Sequence, residues 1–163
     1  MRPHLVVYNV GMLYMKSSQG AYRMMADLIA MSNSIKNFII KRSDLGSADK
    51  SSRTLQRLID AGYLDPLDNN RLLITDRGKI NMLNELVKRR KPDGKMRMII
   101  FDIPEKLRAR RNIFRKHLVD LGFKMEQQSV WSSKLPCEDL VKLVIEYHSL
   151  RRFTSLIVGK LVH

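Results

Sequence analysis

The sequence predicts an α+β chain of two domains, a helical domain closed by a β-hairpin and then a domain with the element order βαββαβ. Three observations predict it. Over residues 21–87 apolar residues recur at helical spacings and end in a hairpin signal. Over residues 95–133 a short apolar run, a basic amphipathic stretch with a glycine stop and a second strand follow one another. After Pro136 a helix and then a β-rich tail return, which completes a split βαβ unit.

In chain order, residues 1–20 form an N-terminal apolar segment. Its run LVVYNVGMLYM is about 11 residues, short of the ~20 that span a bilayer. A helix or strand packed on the first domain is the expectation, with a membrane-surface anchor as the alternative. The segment lacks the basic start and small-residue cleavage site of a signal peptide. Residues 21–87 read as a winged helix-turn-helix. Tyr22, Met25, Leu28 and Ile29 form a first apolar stripe, and Ile35, Phe38 and Ile39 a second. After Gly46, Leu55, Leu58 and Ile59 face one side of a third helix while Arg53 and Arg57, four apart, share another with Gln56 beside them. Gly62 ends that helix. Two short strands then flank Asp68, Asn69 and Asn70, a tip suited to the positive φ values of a hairpin turn. Asp76 and Gly78 lead into INMLNELVKRR, read as one helix whose basic end suits its C-terminal dipole. Proline, aspartate and glycine make residues 88–94 a short hinge.

Residues 95–163 read as a ferredoxin-like α/β sandwich. Met98, Ile99, Ile100 and Phe101 have the length and character of a buried strand, ended by Asp102. Pro104 and Glu105 open a helix, since a first-turn proline needs no amide partner and a carboxylate there complements the dipole. Leu107, Phe114, Leu118 and Leu121 stack on one face of it, Arg108, Arg110, Arg111, Arg115 and Lys116 line the others, and Gly122 stops it. The stretch to Ser133 folds back as two strands around Ser129. Pro136, Glu138 and Asp139 start the next helix, carried by Leu140, Leu143, Val144 and Tyr147, and residues 154–162 return as the last strand.

The segments FDIPEKLRARR, LGF followed by QQSVW, and PCEDL resemble the central domain of PaaX-type transcriptional repressors. That domain is itself similar to CRISPR-associated protein two, whose first strand also ends in an aspartate. The resemblance implies the ferredoxin-like fold and a homodimer built through it. The chain stops at His163, short of the large C-terminal domain of full-length PaaX proteins, so the short two-domain members are the nearer likeness. For that reason the coenzyme A thioester to which full-length members respond is not carried over, and any small-molecule effector is left unassigned.

The formal net charge is +14. Residues 1–94 hold 16 Lys and Arg against 9 Asp and Glu, and residues 95–163 hold 14 against 7, so the basicity belongs to both domains. Such a surface gains from counterion release on nucleic acid, although solubility or an acidic protein partner would also use it. Double-stranded DNA is the partner expected, held by the third helix in the major groove. Arg53, Gln56 and Arg57 have the side chains that read base edges, because arginine forks match guanine and glutamine matches adenine. Lys50, Ser51 and Ser52 suit phosphates near the helix start, and Asn70 and Arg71 would sit on the wing.

Chemistry is thinly signalled, and no enzyme and no cofactor is expected. No Gly-rich phosphate loop, Ser/His/Asp set or HExxH is present. A lone cysteine, Cys137, with four scattered histidines makes no zinc pattern and suits a reducing cytoplasm. Trp131 and Cys137 are expected in core or interface, and His117 in a structural role. Asp102 is the one catalytic and metal-binding candidate. In CRISPR-associated relatives the matching aspartates of two subunits face each other and could hold a divalent metal that activates water. The structural alternative is that Asp102 caps the strand-to-helix turn, accepting amide hydrogen bonds from the next residues. Two function classes therefore compete, a dimeric DNA-binding repressor and a CRISPR adaptation subunit or nuclease. The base-reading module favours the first.

Overall fold

A computed structural model describes residues 19–31, 38–45 and 49–162. Residues 1–18, Ile35 and the side chains of Lys50, Ser51 and Ser52 lie outside what is described. The chain forms two compact units, Met1–Met82 and Leu83–His163. No helix among the described residues is long and apolar enough to cross a membrane.

In the first unit, α1 (Gln19–Met31) begins inside the segment expected to end at residue 20, and it packs on α2 (Asp49–Asp60). Its buried residues are Ala21, Met25, Leu28 and Ile29, three of them from the predicted stripe. β1 (Ile39–Lys41) is followed by a 3-10 turn at Arg42–Asp44. β2 (Leu64–Pro66) and β3 (Arg71–Ile74) complete an antiparallel sheet in the order β1-β3-β2. The second helical stripe is thus corrected: Ile39 and Ile40 are strand residues, opposite Leu73 and Leu72. Two β-branched residues gain more from that ladder than from a helical turn. Phe38, with φ 40°, turns the chain into it. The hairpin expectation of positive φ also fails, since neither Asn69 nor Asn70 adopts it. The Asp68 side chain makes the turn instead, its Oδ1 accepting from the amides of Asn70 at 2.8 Å and Arg71 at 2.7 Å.

The helix expected over INMLNELVKRR is two helices, α3 (Asp76–Asn81) and α4 (Leu83–Val87), broken at Met82. Ile80 and Met82 are both buried, yet two positions apart they would face opposite sides of one continuous helix. Thr75 caps α3 by accepting the Gly78 amide at 3.1 Å. Lys88, Arg89 and Arg90 lie beyond the end of α4.

The second unit continues with β4 (Met96–Phe101), a 3-10 turn at Glu105–Leu107, α5 (Arg108–Asp120), β5 (Lys124–Gln127), β6 (Val130–Ser133), α6 (Glu138–Tyr147), a 3-10 turn at Arg151–Phe153 and β7 (Thr154–Gly159). Its sheet has the order β5-β6-β4-β7, every pair antiparallel. This is the βαββαβ order read from the sequence. α5 begins after the turn rather than at Glu105. Gly122, with φ 77°, ends it, and the Phe123 amide closes back on the Leu118 carbonyl at 2.9 Å. Phe114, Leu118, Leu121, Leu140, Val141 and Val144 fill the core.

β4 is not the uniformly buried run expected. Arg97, Ile99 and Phe101 are buried, and Ile100 is 40% exposed. Helices cover one face of the sheet only: Phe114 of α5 meets Phe101 edge-on at 5.4 Å, and Glu138 of α6 bonds Arg97. Met98, Ile100 and, across the ladder, Ile157 of β7 belong to the other face.

Candidate nucleic-acid interface

α2 buries Leu58 completely and Leu55 and Ile59 in part, which turns Arg53, Gln56 and Arg57 outward as exposed side chains. The four-residue spacing stacks Arg53 and Arg57, and Gln56 stands beside them. Sequence reasoning missed Asp60, which shares this face. Its Oδ1 accepts from Gln56 Nε2 at 2.8 Å, so the amide would have to leave Asp60 to reach a base. The spacing of four between Gln56 and Asp60 was the available signal. Lys50, Ser51 and Ser52 occupy the first turn of the same helix.

Asn70 and Arg71 are exposed at the β2–β3 hairpin. Arg71 is held locally, its Nε 2.6 Å from Asp68 Oδ2. That guanidinium, with the Asn70 amide, keeps the Asp68 carboxyl below the usual carboxylate range. Sheet pairing brings further cations to this corner. Lys41 lies directly across from Arg71, and the Arg42 amide donates to the Asn70 carbonyl at 2.6 Å. Both side chains are exposed. Neither was a sequence candidate, because their place beside the hairpin depends on a pairing some thirty residues away.

Asp102 is exposed at the end of β4, its main-chain amide donating to the Phe153 carbonyl at 2.9 Å. The N-cap residue of the following 3-10 turn is Pro104, which makes no side-chain cap. Nearby acids have other partners. Glu105 bonds Arg111 at 2.8 Å, which holds its carboxyl below the ordinary range, and Glu126 accepts from the Ser132 hydroxyl. Among the described residues no group of three or more His, Cys, Asp or Glu could hold a metal ion. Cys137 is buried, and burial pushes its thiol up to about 12, so the reactive thiolate is suppressed. Trp131 and His117 are buried as well, in keeping with core roles.

No curated protein and no solved structure matches the chain. Residues 89–163 match the family described as PaaX protein central Cas2-like domain. The match takes in every strand and helix from β4 to β7, so this part of the chain is similar to the Cas2-like domain of PaaX proteins.

Proposed function

We propose that this chain is a transcriptional regulator, a repressor, that acts in the cytoplasm by binding double-stranded DNA as a homodimer. The first unit is read as a winged helix-turn-helix, with α2 in the major groove and the β2–β3 hairpin as the wing. The Cas2-like unit pairs two copies, so that two reading heads meet a two-fold operator. The observation that carries this reading is the exposed Arg53, Gln56 and Arg57 face of α2, in a chain of net charge +14 whose other unit is PaaX-like. Lys50, Ser51, Ser52, Asn70 and Arg71 supply contacts to phosphates, joined by Lys41 and Arg42. These position the protein, while base-edge contacts specify the sequence.

Selection of bound duplexes from a random DNA pool tests it. One recurrent palindromic motif is expected, and recovery of unrelated sequences with equal affinity sinks the reading. The competing reading, a metal-dependent nuclease, rests on Asp102 alone. Protein incubated with magnesium or manganese should leave DNA and RNA intact. Cleavage that vanishes in Asp102→Ala, with the protein still folded, would reverse the assignment.

A further inference from the structure

One carboxylate holds Arg71 twice. Asp68 Oδ1 accepts the Arg71 amide at 2.7 Å and Oδ2 accepts Nε at 2.6 Å, so backbone and side chain are tied to the same group. The Leu67 amide donates to the Arg71 carbonyl at 2.9 Å, and the Arg42 amide to the Asn70 carbonyl at 2.6 Å, which fixes this end of the hairpin from both sides. With the two side chains 53% and 44% exposed, the ion pair itself adds little to stability. What it sets is direction. A guanidinium bonded through Nε keeps both Nη groups for a further acceptor, and among the described residues neither Nη of Arg71 makes a hydrogen bond.

The sheet register puts a second cation beside the first. Ile40 and Leu72 pair and are buried, so Lys41 and Arg71, the next pair, stand on the opposite face. Residues directly opposed in a ladder have Cβ atoms about 4.5–5.5 Å apart, and like charges there repel. Among the described residues no carboxylate bonds the side chain of Lys41. Asp68 relieves the repulsion from the Arg71 side, and an anion shared by both cations would relieve it further. The planar edge formed by the two Nη groups matches two oxygens of a phosphate, while an ammonium serves as a point charge next to it.

We infer that Asp68 is a positioning residue: it aims the Nη edge of Arg71 at one phosphate of the DNA backbone, which Lys41 grips from across the ladder. This rests on the DNA-binding reading above and concerns the first unit alone.

Removing an acid from a surface that faces DNA ordinarily strengthens binding, so a positioning acid is recognised by the opposite sign. Asp65 supplies the control, an exposed acid of β2 that lies across from Leu73 and makes no bond to Arg71. Asp65→Asn and Asp68→Asn remove the same charge, but the second alone releases the Arg71 side chain. Asparagine still offers Oδ1 to the Asn70 and Arg71 amides, so the turn is kept, and far-ultraviolet circular dichroism checks the fold. Affinity of the full chain is read by fluorescence anisotropy on a labelled duplex of random sequence. The salt is about 0.15 M, which screens exposed charges beyond roughly 8 Å. Asp65→Asn should bind at least as tightly as wild type. Asp68→Asn should bind roughly three- to tenfold more weakly, the cost of immobilising a free arginine side chain on binding. Arg71→Lys, which keeps the charge and the turn but loses the fork, should be weakened as well. In an Arg71→Ala background the two asparagine variants should become equal, as a pair acting together requires. Lys41→Ala and Arg71→Ala combined should cost less than the product of their separate losses, because one phosphate is lost only once. Equal binding by Asp65→Asn and Asp68→Asn beside a binding wild type overturns the positioning role alone. Independent losses from Lys41 and Arg71 overturn the shared phosphate. If wild type binds no duplex even in low salt, the DNA-binding reading falls and this inference with it.

Discussion

Gly78 marks the tightest point of the first unit. A Cβ there would stand 2.5 Å from the Tyr63 carbonyl oxygen and 3.0 Å from Ile74 Cγ2. The carbonyl is held in place by the Thr75 amide at 3.1 Å, so it cannot retreat cheaply. Gly78→Ala should therefore destabilise the unit by about 1–3 kcal/mol, the cost of overpacking, as read from a lower urea midpoint. A second prediction at this scale separates reading from holding. Arg57→Ala should narrow the affinity gap between a selected operator and random duplex by ~1–3 kcal/mol, the discrimination of a bidentate base contact. Lys50→Ala should weaken both duplexes alike and make the salt dependence shallower. Equal binding by both variants and wild type at moderate salt would remove α2 as the reading head. Leu58 is buried and Arg57 is exposed, so the change at Arg57 should not unfold α2.

At the scale of elements, α5 and α6 meet through two buried histidines. The rings of His117 and His148 stack at 5.1 Å and 26°, with Tyr147 edge-on to His148 at 5.3 Å. Burial, helped by His117 and Arg110, pushes His148 down to about 4 from an ordinary 6.5. Asp120, 3.9 Å from His117 Nδ1, is the acid facing the pair. The folded state thus prefers neutral His148, and between those two values the unfolded chain binds more protons. Stability is fully present above pH 6.5 and falls as pH drops toward 4, by about 3 kcal/mol for this shift. Urea midpoints followed by Trp131 fluorescence across that window should show the decline, and His148→Phe should flatten it. An equal slope in both proteins would remove His148 as the cause. The helix periodicity placed His117 beside the apolar face of α5, but its stacking partner is the residue just past the end of α6, beyond the reach of local spacing.

Over the whole molecule, both units are basic: the first holds 12 Lys and Arg against 7 Asp and Glu, the second 18 against 9. The sheet face that α5 and α6 leave uncovered carries Ile100 at 40% and Ile157 at 50% exposure. Apolar area of this kind suits the pairing surface of the proposed dimer. Light scattering should give a dimer for wild type at micromolar concentration and a monomer for Ile157→Asp. A monomeric wild type would count against the pairing. The sequence by itself determined what local periodicity encodes. Phe114, Leu118 and Leu121 on one face of α5, the stop at Gly122, the β5–β6 hairpin and the outward Arg53, Gln56 and Arg57 all follow from spacing over a few residues. Tertiary structure decided whatever depends on a distant partner. Ile39 became strand because Leu73 offers a ladder, and the same pairing brought Lys41 and Arg42 to the hairpin. Met82 broke a continuous helical pattern because it and Ile80 are both buried. Arg97 entered the core, against its residue type, because Asp93 and Glu138 meet it there, the second from 41 residues away. Charge is legible in a sequence; whether a charge is solvated or compensated depends on which groups the fold brings within hydrogen-bonding distance.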